Sequence, residues 1–115
     1  MSNNNQDLAE DLLVALDMRR NSVKVLIYMA EHREVTSDEL EFALGIGQPS
    51  VSAAIKDIGI KGWLCVEQIR TENKGRPRHK YRLSKDFSII VVEIEELARK
   101  LIRNINSGLS YLMAV

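Results

Sequence analysis

Two glycines, Gly45 and Gly47, stand on either side of Ile46 and directly before Gln48-Pro49. No other feature constrains the fold of this chain so tightly. Glycine readily takes the left-handed backbone that ends helices, and proline is accommodated in a helix's first turn, where its missing N–H is not needed. One helix therefore stops near Leu44 and another starts near Gln48, joined by a tight turn. The first of the two is short, because its start is marked as well. Thr36 followed three residues later by Glu39 reads as a capping box, in which each side chain satisfies the other residue's backbone N–H. Val35 and Leu40 occupy the positions of a hydrophobic staple.

The helix opening at Gln48 has Val51, Ile55 and Ile58 at i, i+4 and i+7, a buried stripe that ends near Gly62, with Gly59 weakening the last turn. Its opposite face carries Gln48, Ser52, Ala53 and Lys56, with Ser50 on the flank. Such small and polar side chains let a helix sink into a major groove about 12 Å wide. Gln can bond adenine bidentately, Ser can pair with several bases or a phosphate, and Ala can touch a thymine methyl. Beyond Gly62, Trp63 to Arg70 is rich in strand-favouring residues, and Tyr81 and Leu83 alternate with basic residues in a second strand-like run. Thr71 to Pro77 reads as the hairpin tip between them.

That hairpin holds the main electrostatic signal. Lys74-Gly75-Arg76-Pro77-Arg78-His79-Lys80-Tyr81-Arg82 has five fixed positive charges in nine residues and no acid, in a chain of zero net charge. Residues 1–17 carry −4, residues 18–55 and 86–115 carry −1 each, and residues 56–85 carry +6. A local patch steers a polyanion whatever the total. Arg70, Lys74, Arg76, Arg78, Lys80 and Arg82 cannot all be buried, since unpaired buried charge is prohibitively costly. Pro77 stiffens the tip between Arg76 and Arg78, and arginine on a stiff tip suits a narrow minor groove.

The outer segments are helical by period. Leu8, Leu12, Leu13 and Leu16 mark a helix over 7–17, and Val23, Leu26, Ile27 and Ala30 one over 19–32. From Asp86 onward Phe87, Ile90, Ile94, Leu97 and Leu101 recur at spacings of 3, 4, 3 and 4, the pattern of a helix–helix seam. The spacing predicts an interruption at Asn106-Ser107-Gly108 and a last apolar piece, Leu109 to Val115, that packs back on the body. Ile89, Ile90, Val91, Val92, Ile94, Leu97, Leu101, Ile102 and Ile105 give this helix more apolar surface than one seam requires. The 87–101 seam has two readings: as core it covers the winged domain of its own subunit, and as interface it pairs with a partner. Dimerisation accounts for the excess, and the leucines of the first helix add to it.

Other chemistry is poorly represented. At 115 residues with 28% charged and 45% apolar residues, the composition fits one soluble domain without room for a sensor domain. No apolar run reaches the roughly 18 residues of a membrane span, and the start of the sequence lacks the basic n-region of a secretory signal. A cytoplasmic protein is the simplest reading. A single cysteine, Cys65, excludes an intramolecular disulfide and a multi-cysteine metal site, and its strand context predicts a buried structural thiol. His32 and His79 lie far apart and lack a ligand cluster. No nucleophile elbow, phosphate-cradling loop or paired-carboxylate pattern is present, so no catalytic residue, metal or cofactor is assigned. His79 is a candidate for a pH-dependent phosphate contact.

Over residues 35–83 the sequence resembles winged helix-turn-helix transcriptional regulators, specifically the small prokaryotic MarR and TrmB-like groups. Thr36-Ser37-Asp38-Glu39-Leu40 resembles the first helix of the turn motif, Leu44-Gly45-Ile46 the turn, and Gln48-Pro49-Ser50-Val51-Ser52 with Ile55-Lys56 the recognition helix. Lys61-Gly62-Trp63-Leu64 is similar to the entry into the wing, and Lys74-Gly75-Arg76-Pro77-Arg78 with Tyr81 and Leu83 to the wing itself. The resemblance implies a mainly α fold with a small β-hairpin wing, flanked by N- and C-terminal dimerisation helices. It divides the chain into 1–18 (dimerisation support), 19–85 (DNA-binding domain) and 86–115 (dimerisation helix and tail).

It further implies a homodimer on double-stranded DNA. Gln48, Pro49, Ser50, Ser52, Ala53 and Lys56, on a helix over about 48–61, would meet the major groove. Arg70, Lys74, Gly75, Arg76, Arg78 and Lys80, in a wing over about 71–80, would meet the minor groove or its phosphates. Leu8, Leu12, Ile90, Ile94, Leu97, Leu101 and Ile105 would form the dimer interface. Asp38, Glu39 and Glu41 run against the scheme, since acid near the DNA backbone repels it. The alternative is a winged helix serving as a protein–protein interaction module, its basic hairpin meeting an acidic partner.

Overall fold

The computed structural model describes residues 4–69 and 78–115. Its order is α1 (Asn4–Ala15), α2 (Arg20–Glu31), β1 (Val35–Thr36), α3 (Ser37–Leu44), α4 (Gln48–Ile60), β2 (Leu64–Ile69), β3 (Arg78–Leu83) and α5 (Phe87–Ala114). The sheet is antiparallel in the order β1-β3-β2, with Tyr81 opposite both Val35 and Val66. It is a winged helix-turn-helix, mainly helical, as the sequence predicts. The hairpin has a third strand, β1, that no local sequence signal predicts.

The turn between α3 and α4 is built as the glycines require. Gly45 caps α3 at φ +63°, in the left-handed region, and its N–H donates to the carbonyl of Glu41. Pro49 lies in the first turn of α4. The capping box is only half formed. The Glu39 N–H donates to Thr36 Oγ1 at 3.2 Å, but the Glu39 carboxylate accepts instead from the Tyr28 hydroxyl at 2.7 Å. A phenol on the neighbouring helix α2 has replaced the local backbone donor, and α2 and α3 are joined by the exchange. The staple residues Val35 and Leu40 are both buried.

One core serves the described residues. Val23, Val25, Leu26 and Met29 from α2 meet Leu40, Val51, Ala54, Ile58 and Trp63, and α1 contributes Leu13. Ile90 and Ile94 of α5 close it from outside. The resemblance assigns both to the dimer interface, but at 0% and 8% exposed they are spent within their own chain, the core reading of the seam. The wing root is locked there too. The Ser84 N–H donates to the Trp63 carbonyl at 2.8 Å, its hydroxyl to the Gly62 carbonyl at 2.8 Å, and Gly62 holds φ +81°.

A second correction concerns the C-terminus. No break occurs at Asn106-Ser107-Gly108: α5 runs unbroken for 28 residues, about 42 Å at 1.5 Å per residue. Leu109 to Val115 do not fold back, and every residue from Ile102 onward is exposed. Cys65 is half-buried in β2, more open than the buried thiol expected.

Candidate nucleic-acid interface

The outward face of α4 carries the residues the sequence singles out. Gln48, Pro49, Ser52 and Lys56 are exposed, while Ser50 and Ala53 are half-buried on the side towards α2. The Gln48 amide donates to Ser52 Oγ one turn on, at 3.2 Å, so the two polar groups form a prearranged pair. Val51, Ala54 and Ile58 point into the core. Gly47 caps α4 without a side-chain bond. Pro49 has no N–H, and the Ser50 and Val51 N–H groups donate to the Gly47 carbonyl at 3.0 and 3.1 Å. What this end offers an anion is therefore mainly the positive end of the helix dipole.

Beside this face stands the sheet. Tyr81 and Leu83 are half-buried on its inner side, and Lys80 and Arg82 alternate with them. Lys80 lies 3.7 Å from Glu34, both about two-fifths exposed, a surface pair of little energetic weight that a stronger anion can displace. His79 is exposed, its ring 6.3 Å from that of Tyr81. Arg78 opens β3, paired with Ile69 at the end of β2. Arg70, Lys74, Gly75 and Arg76 lie outside the described residues, as do Thr71 and Pro77 of the tip.

The awkward acids of α3 are partly accounted for. Glu39 is held by Tyr28, whose hydroxyl pKa is raised, first by that hydrogen bond and then by burial. His32 stacks on the Tyr28 ring at 3.8 Å, with Nδ1 2.8 Å from the Tyr28 carbonyl, which gives it a structural place. Asp38 remains in the first turn of α3, where it complements the helix dipole. Among the described residues no group of three His, Cys, Asp or Glu side chains could hold a metal ion. Among the same residues no helix is long and apolar enough to cross a membrane.

Two open apolar surfaces flank the winged domain. On α1, Leu8 and Leu12 face outward while Leu13 fills the core. On α5, Leu97 and Ile105 are exposed and Leu101 is half-buried, and the stripe continues through Leu109 and Leu112. With Ile90 and Ile94 withdrawn, these are the interface candidates that remain. Sequence reasoning also misses Arg19 and Asp57, which join the start of α2 to the flank of α4. Neither carries a local motif; the pair exists only once the two helices pack.

No protein-family model matches this sequence, and no curated protein does. Solved structures do match its fold. A "possible transcriptional regulator" from Methanosarcina mazei Go1 superposes with a TM-score of 0.70 at 18% identity, covering 90% of this chain and 87% of that one. MarR of E. coli gives 0.54 at 22% identity, over 94% of this chain and 84% of its own. The S. aureus MepR–DNA complex gives 0.55 at 19% identity, over 95% and 92%. The chain thus has the winged-helix fold of MarR-type regulators, at sequence identities that speak for fold alone.

Proposed function

We propose that this chain is a homodimeric transcriptional regulator that binds double-stranded DNA in a sequence-specific way. The observation that carries the reading is the exposed face of α4: small, polar, tied together at Gln48–Ser52, and set beside the most basic quarter of the sequence. Gln48, Ser50, Ser52 and Ala53 read bases in the major groove, and Lys56 anchors the helix. Arg76 and Arg78 act at the minor groove, and Arg70, Lys74 and Lys80 supply attraction to phosphate. MepR, of the same fold, has been solved with DNA bound, which supports the assignment of α4 and the wing.

In this reading α1 and α5 bring two copies together, each pairing Leu8, Leu12, Leu97, Leu101 and Ile105 with a second chain. Burial of such side chains stabilises by roughly 1.5–3 kcal/mol each before the cost of association. A two-fold dimer sets its recognition helices about 34–36 Å apart, one turn of DNA, and so matches an inverted repeat. The role is one of binding in the cytoplasm, with no reaction attached.

The test is a titration of labelled duplex with the purified protein over a salt series, with mass in solution measured in parallel. Affinity falls with salt at a log–log slope of about −0.9 per phosphate neutralised, and the binding species has twice the chain mass. Absence of DNA binding even in low salt refutes the regulator reading and leaves the protein-interaction module.

A further inference from the structure

Arg19, the residue preceding α2, lays its guanidinium along the flank of α4. Its Nη1 donates to the Ala53 carbonyl at 3.3 Å and lies 3.5 Å from the Asp57 carboxylate. Asp57 is itself held from behind. The Ser22 hydroxyl donates to it at 2.7 Å and the Arg19 backbone N–H at 3.4 Å. One carboxylate of α4 therefore takes two hydrogen bonds and one ion pair from the start of α2, fixing both the packing of the two helices and the reach of Arg19. The carboxylate is the inner member of the pair, 15% exposed, and the guanidinium the outer, 61% exposed. Nε and Nη2 of Arg19 bond to none of the described residues.

The place where this cation sits decides its use. Arg19 and Asn21 line a cleft of about 340 Å³ together with Pro49, Ser50 and Ala53, so Arg19 borders the residues assigned to base reading. A helix with its side chains is roughly 10–12 Å across, and the major groove is about 12 Å wide. A recognition helix fills that groove from wall to wall, and the walls are the two phosphate strands. A group on the flank of α4, a turn or two from its start, meets phosphate rather than base. We propose that Arg19 is a phosphate-anchoring residue, a third part of the DNA interface beside recognition helix and wing, positioned by Asp57. The inference rests on the DNA-binding reading above and adds to it a contact from outside the helix-turn-helix. Asp57 moderates the charge without cancelling it, because its Oδ2 is taken by the Ser22 hydroxyl and the Arg19 backbone N–H, and Oδ1 alone faces the guanidinium, at 3.5 Å. The remaining N–H groups of the guanidinium match the geometry of a phosphate.

The experiment compares the parent chain with Arg19→Ala, Arg19→Gln and Arg19→Lys. Each is titrated by fluorescence anisotropy against a duplex selected by the parent from a random pool and against its scrambled version, over a salt series. Arg19→Ala is expected to lose affinity by the same factor on both duplexes, and its log–log slope to be shallower by about 0.9, the value of one phosphate. Arg19→Lys keeps the parent slope. Arg19→Gln, whose amide can still donate to the Ala53 carbonyl, follows Ala; if Ala proves unfolded by circular dichroism, Gln carries the comparison. Parent-like slopes in the uncharged variants overturn the assignment whatever their affinities, because a purely structural defect weakens binding without removing a counterion. A parent that binds neither duplex in low salt overturns both readings, so the two failures are distinguishable.

Discussion

The indole N–H of Trp63 donates to Glu93 Oε1 at 2.9 Å, and the Lys85 ammonium meets the other oxygen at 2.7 Å. Trp63 is buried at the entry to the wing, Glu93 stands on α5, and Lys85 lies in the short link between β3 and α5. One carboxylate thus joins the root of the wing to the long helix that leaves the domain.

The same contact gives the fold an acid dependence. The Glu93 pKa is lowered, first by the Lys85 hydrogen bond and then by that from Trp63, against a smaller opposing effect of burial. A carboxylate with a folded pKa below its unfolded one stabilises fully above the ordinary glutamate range, and the contribution is lost as pH falls through the depressed value. Glu93→Gln should therefore melt below the parent at neutral pH, and the gap should close in acid. Thermal melts followed by circular dichroism across that range measure it. A gap that persists unchanged in strong acid means the charge of Glu93 is not the source.

Ile90 and Ile105 lie on one helix but in different surroundings, the first fully buried and the second 58% exposed. Ile90→Ala is expected to cost about 2–5 kcal/mol, as for other large-to-small changes in a packed core. The size of that effect should not depend on protein concentration. Ile105→Glu should instead leave the winged domain folded and shift the sedimenting species from dimer to monomer. A dimer unaffected by glutamate at position 105 would remove the distal half of α5 from the interface.

Two glycines should respond to alanine with opposite signs. Gly45 sits at φ +63°, where a Cβ costs about 1–2 kcal/mol even though space is open. Gly59 is inside α4, and an added Cβ would meet only Leu64 Cδ2 at an ordinary 3.6 Å. Removing the helix penalty of glycine there can gain up to about 1 kcal/mol. Chemical denaturation of Gly45→Ala and Gly59→Ala reads both, and a stabilised Gly45→Ala would contradict the left-handed cap.

Local signals in the sequence account for most of this architecture. The glycine pair, Pro49, the periodicity of α4 and the basic return strand are each written within a few residues, and the fold places each where its signal lies. What escapes depends on distance. β1 is two residues long and exists because Val35 meets Tyr81 across most of the domain. The Glu39 carboxylate leaves its box for a phenol that only packing brings near. Asn106-Ser107-Gly108 looks like a stop, yet a helix already formed propagates at small cost per residue, and one glycine adds only about 1 kcal/mol. For Ile90 and Ile94 the period specifies the helix but not which partner its stripe faces. Among the candidate site residues the face of α4 is legible, while the proposed anchor Arg19 is not, because its place is set by Asp57 on another helix.

The division of labour between α4 and the wing can be separated by the kind of weakening each variant produces. Gln48 is bonded to Ser52, exposed and uncharged, so in the proposed function it discriminates bases rather than adding charge. Gln48→Ala should cost about 1–3 kcal/mol on the selected duplex and little on the scrambled one. The double replacement of Arg76 and Arg78 by Ala removes two cations from a segment rich in them. It should weaken binding to both duplexes alike and flatten the salt slope by up to about 2, roughly one for each phosphate left without its arginine. Paired titrations at low and high salt with both duplexes separate the two effects. Equal weakening on the two duplexes in both variants would mean that α4 does not read sequence, and the winged helix would then act as a non-specific DNA clamp.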